Sequence, residues 1–87
     1  MLNKEDKAYG IELQAKDFYK QFEKHHRLFE RYEVLQTAYN LLVEFLRNDT
    51  DMGEIDKFVM SNKDKLTKDD LEGLRKVRDF VLEGWEE

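Results

Sequence analysis

The chain contains no cysteine and no proline, has four glycines, and carries a single serine, Ser61, among its 87 residues. Without cysteine there is no disulfide framework of the kind that staples small secreted domains, and no thiol nucleophile. A lone serine with no glycine-rich turn gives no material for an oxyanion hole or a phosphate cradle. Scarce glycine and absent proline also withhold the turn chemistry that a many-stranded sheet needs. No uninterrupted apolar run exceeds that of Leu41-Leu42-Val43, far short of a membrane span or a signal-peptide core. What is present is 40% apolar, 40% charged and 13% aromatic, with a net charge of −5. That is too rich in large apolar residues for a disordered chain and long enough for one core only. The expectation is a single all-α domain over residues 1–87, soluble and cytoplasmic.

Apolar periodicity gives the elements. Ala8, Ile11, Ala15, Phe18 and Phe22 fall at spacings of three and four, one side of an amphipathic helix. Leu28, Tyr32, Leu35, Tyr39, Leu42 and Leu46 form a second row, flanked by a third, Val34, Ala38, Leu41 and Phe45. At about 100° per residue the two rows cover roughly 200° of one helix, which makes it the central element, packed on more than one side. The apolar face shifts near Lys24-His25-His26-Arg27 with no helix breaker. Either the chain bends there into a hairpin, or a continuous rod of about 65 Å uses different faces against different partners. Asp51, with Glu54 three residues on, reads as a capping box opening a helix over Met52 to Ser61. That helix buries Met52, Ile55, Phe58 and Val59. Thr67 with Asp70 opens a last helix whose buried face is Leu71, Leu74, Val77, Val81 and Trp85. Gly73 in that helix suits a close helix crossing. The result is a small bundle of three to four helices with a long or kinked N-terminal pair.

Catalytic and metal-binding constellations are sparse. Glu23 and His26 have the Glu-x-x-His spacing of carboxylate-bridged di-iron bundles, with Glu30 on the same face, but those sites need two such motifs and further glutamates. A salt-bridged helix face is the plainer reading. Asp49, Asp51 and Glu54 lack the order of an EF-hand loop and are read as helix caps. No catalytic residue, metal ligand or cofactor is therefore assigned, and the protein is expected not to be an enzyme.

Surfaces remain. Lysines and arginines balance carboxylates up to Asn48, and the region from Asp49 onward supplies the whole negative excess, with Asp49, Asp51, Glu54, Asp56, Asp69, Asp70 and Glu83 as its candidate acidic surface. Such a surface can mimic a phosphate backbone and attract a nucleic-acid-binding protein, as small acidic inhibitors of phages and mobile elements do as a class. Lys16, Lys20, Lys24, Arg27 and Arg31 form a basic stripe if the first helix is continuous, yet overall acidity argues against direct nucleic-acid binding. Tyr9, Leu13, Met60 and Phe80 fall off their helices' buried faces and are candidate partner contacts. The broad apolar girth from Leu28 to Leu46 points to further burial by another chain, a homodimer being the simplest case. The functional expectation is a small acidic regulator or inhibitor that binds a larger protein or complex. The alternative is a nucleic-acid-facing role, by DNA mimicry or through the basic stripe.

Overall fold

The computed structural model describes residues 3–24 and 29–83 and contains four α-helices and no strand among them: α1 (Lys4–Lys24), α2 (Phe29–Asn48), α3 (Met52–Ser61) and α4 (Lys68–Leu82). The fold is a small all-α bundle, as the periodicity predicts. The starts of α1, α3 and α4 have side-chain caps. Asn3 Oδ1 accepts from the Asp6 amide at 2.8 Å, and Asp51 Oδ1 accepts from the Gly53 amide at 2.9 Å. At α4 the predicted capping box is complete, Thr67 Oγ1 accepting from the Asp70 amide and Asp70 Oδ2 from the Thr67 amide. At α3 the cap is Asp51 as expected, but its carboxylate serves Gly53 and not Glu54. α2 stops at Asp49, whose φ of 52° lies in the left-handed region that short polar residues tolerate at helix ends.

The register shift after Phe22 marks a hairpin, not a rod. Arg47 in the last turn of α2 donates to Glu5 and to Glu12 of α1, both at 2.7 Å, which sets the two helices antiparallel. Phe18 of α1 meets Tyr39 of α2 edge-on, with ring centroids 4.8 Å apart. Ala8, Ile11 and Ala15 supply the buried face of α1. The small alanines let the helices approach closely while Ile11 fills the seam.

α2 is the central element. Val34, Leu35, Ala38, Tyr39, Leu42, Val43, Phe45 and Leu46 are all buried, and Tyr32 and Leu41 are half-buried. Neighbours in the same chain cover both apolar rows: α1 on one side, α3 and α4 on the other. Most of the girth that called for a second copy is thus buried within this one, with Tyr32 and Leu41 half-buried and Leu28 outside the described residues, so girth alone does not argue for a homodimer. The reason is the hairpin itself. Folding α1 back onto α2 supplies a partner that a continuous rod would have had to find elsewhere.

Gly73 behaves differently from expectation. A Cβ at Gly73 would lie 3.8 Å from Tyr39 Oη, an ordinary contact, so no tight crossing depends on this glycine. A Cβ at Gly10 would meet nothing within 4 Å. Gly10→Ala is therefore expected to stabilise α1 by roughly 0.5–1 kcal/mol through reduced backbone entropy of the unfolded chain. Thermal denaturation followed by circular dichroism should show a rise of about 4–8 °C per kcal/mol for a domain of this size.

Candidate functional site

α3 and α4 are joined by a 3-10 turn, Lys63–Lys65, that reverses the chain. Asn62 terminates α3 from both its backbone and its side chain, donating to Val59 O at 3.1 Å and to Phe58 O at 2.8 Å. The two helices leave that turn side by side but apart. Between them lies an open groove of about 490 Å³, with Leu42 of α2 among its lining. Ile55, Val59 and Met60 line it from α3, and Leu71 and Leu74 from α4. Its polar lining is limited to Asp56, Arg75 and Arg78. Asp56 accepts from Arg78 Nε at 3.0 Å and Nη2 at 3.1 Å, a fork that ties α3 to α4. Arg75 pairs within its own helix, donating to Glu72 at 2.9 Å.

α4 is also held at both ends. Arg31 of α2 forms a two-pronged pair with Asp70, at 2.7 and 2.9 Å. That guanidinium holds the Asp70 carboxyl below the ordinary carboxylate range; burial opposes the shift, and the hydrogen bond from the Thr67 amide reinforces it. At the other end, Lys7 of α1 is buried and its ammonium donates to Phe80 O at 3.0 Å and Glu83 O at 2.8 Å. A cation on the last carbonyls of a helix satisfies orphan acceptors and opposes the negative end of its dipole. The same ammonium lies 5.0 Å from the Phe80 ring centroid. A second cleft, about 360 Å³, runs between α1 and α4 past Lys7, Gly10, Val77 and Phe80.

The predicted partner contacts are dispersed. Tyr9 (60% exposed) and Leu13 (46%) share the outer face of α1, whereas Met60 (60%) stands at the rim of the α3–α4 groove. Phe80 is a correction: it is half-buried against the core and stacked under Lys7, because that lysine reaches from α1 across the side of α4 that its periodicity leaves open. The basic stripe is a second correction. Lys16, Lys20 and Lys24 remain on α1, Arg27 lies outside the described residues, and Arg31 sits on α2 engaged with Asp70. The hairpin breaks the line on which all five depended. The acidic surface is largely spent on structure: Asp51 caps α3, Asp56 binds Arg78, Asp70 serves Thr67 and Arg31, and Asp49 lies 3.7 Å from Lys4. Glu54, Asp69 and Glu83 are exposed. His26, Leu28 and Trp85 lie outside the described residues.

Sequence reasoning missed Lys7, Tyr19 and the groove. A lone lysine beside Ala8 and Ile11 gives no sign that it will find carbonyls on α4, and the exposed, half-apolar face of Tyr19 stacks on Phe22 at 6.3 Å between centroids. Comparison with protein-family models, curated proteins and solved structures returns no match. Among the described residues, no helix is long and apolar enough to cross a membrane.

Proposed function

We propose that this chain is a non-enzymatic protein-interaction module that holds an apolar segment of a partner protein in the α3–α4 groove. The observation that carries this reading is the groove itself, a trench of about 490 Å³ with aliphatic walls and Met60 exposed at its edge. Concave apolar sites of roughly 300–1,000 Å³ are the common form of specific binding sites. Each large apolar side chain removed from water there contributes about 1.5–3 kcal/mol. Methionine, flexible and polarizable, suits a surface that must adapt to its occupant. An acidic, cysteine-free module of this size fits a cytoplasmic regulator or inhibitor of a larger assembly.

The test is a paired capture from extract of the native cells, using wild type and Met60→Glu. Because Met60 is exposed, the variant should keep its helical spectrum and melting temperature. The partner recovered on wild type should fall at least tenfold on the variant. Equal recovery on both would place the interaction elsewhere and remove the groove from the account.

A further inference from the structure

We infer that the outer face of α1 pairs antiparallel with the same face of a second copy of this chain. Tyr9 and Leu13 sit at the centre of that pair, and Asp6 of each copy seats against Lys16 and Lys20 of the other. Asp6, Tyr9, Leu13, Lys16 and Lys20 are all exposed and follow one another at spacings of three, four, three and four. That is the repeat of a helix-pairing seam, and it lies on the side of α1 turned away from the buried Ala8, Ile11 and Ala15. Tyr9 and Leu13, one turn apart and 60% and 46% exposed, occupy its middle. In an antiparallel pair whose dyad passes midway between them, Tyr9 of each copy lies beside Leu13 of the other. Four large apolar side chains then leave water together.

The choice of a second copy follows from the order of charge along the seam. Asp6 stands at one end and Lys16 and Lys20 at the other. A partner of uniform sign, such as a nucleic acid, would be repelled by one end, and a parallel copy would set like charges face to face. A copy turned end for end brings each end to its opposite. Among the described residues, neither Asp6 nor Lys20 has an ion-pair partner within 4.0 Å, although Lys76 of α4 shares a cleft with Asp6. Lys16 lies 4.0 Å from Glu12, whose carboxylate Arg47 holds more closely, at 2.7 Å. Two further carboxylates of α1 lie near the lysines without cancelling them. Asp17 flanks the seat for the partner's Asp6, which leaves two cations there against one anion. Glu23 is seven residues past Lys16, about 10 Å farther along the axis, and exposed charges so separated are largely screened at physiological salt.

A single helix pair buries less than the roughly 1,200 Å² of the smallest stable interfaces, so the dimer is weak, with a dissociation constant on the order of 10–100 μM. The experiment is sedimentation equilibrium on the full chain from about 10 μM to about 1 mM, a range that brackets that value. The average mass of wild type should pass from monomer toward dimer. Leu13→Lys, at an exposed position, should keep its helical spectrum and weaken association at least tenfold. Asp6→Lys alone, and Lys16→Glu/Lys20→Glu alone, should each weaken self-association at least tenfold, because like charges then meet. Mixed in equal amounts, these two variants should associate as wild type does, since each end again faces its opposite. Met60→Glu, at the rim of the α3–α4 groove, should dimerise normally. Wild type that stays monomeric throughout would overturn the inference. So would a dimer indifferent to Leu13→Lys, or one lost with Met60→Glu, since the contact would then lie elsewhere. A mixture that fails to recover, after both variants have lost association, would overturn the antiparallel pairing. The groove reading is decided separately, by its own capture experiment.

Discussion

Leu42→Glu is expected to abolish the native fold at neutral pH and 25 °C. Leu42 is 2% exposed, belongs to the buried cluster on α2, and lines the α3–α4 groove from below. A domain of this length has a net stability of roughly 4–13 kcal/mol. Removing the leucine costs about 2–5 kcal/mol, the range measured for large-to-small changes in cores. The glutamate adds the penalty of bringing a carboxylate among aliphatic side chains, several kcal/mol unless it is protonated or water enters. The groove gives one wall of this site access to solvent, so the milder Leu42→Ala should fall in the lower half of its range and still fold. Circular dichroism and one-dimensional NMR would decide. A well-dispersed spectrum for Leu42→Glu would mean that α2 is less central to stability than its burial implies.

The same residue shows what the sequence could and could not disclose. Alternating spacings of three and four placed Leu42 correctly in a core row, and the caps at Asp51 and Thr67 placed the starts of α3 and α4, because both signals are local. The direction of the chain after Lys24 was not local. Whether a helix bends is decided by what its apolar face meets, and Phe18 meets Tyr39 only once α1 has folded back. Arg31 carries the lesson further. Spacing alone aligned it with the lysines of α1, whereas its carboxylate partner, Asp70, lies 39 residues away on α4. Lys7 is the extreme case, a charged residue that patterning assigns to solvent and that tertiary structure buries to cap a distant helix. The groove was illegible for another reason. Periodicity identifies Val59 and Leu71 as apolar but says nothing of how far apart their helices stand.

The pair between Arg31 and Asp70 gives the second large effect, one that depends on pH. The Asp70 carboxyl side chain is 9% exposed and makes two charge-assisted bonds to Arg31 along with its part in the capping box. Its pKa is lower in the folded chain than in the unfolded one, so the folded state binds fewer protons over that interval. The associated stability is fully present above the ordinary carboxylate range and is lost as pH falls through the folded-state value. Asp70→Asn keeps an acceptor for the Thr67 amide but surrenders the charge, and hydrogen bonds to charged groups contribute about 1.5–3 kcal/mol. The variant should therefore be less stable than wild type by about that amount at pH 7, with the difference shrinking toward zero as the wild-type carboxyl becomes protonated. Urea denaturation at a series of pH values reads both quantities. Hydrogen exchange should show faster opening of α4 than of the α1–α2 hairpin in the variant, since Arg31 is one of the clasps that hold α4 on α2. The exposed Glu5–Arg47 pair also lowers a carboxyl pKa, but salt should weaken it far more than the less exposed Asp70. Repeating the series at high ionic strength thus separates the two. An acid limb of the same steepness in Asp70→Asn and wild type would show that another group sets the pH response and that α4 is held chiefly by its apolar face.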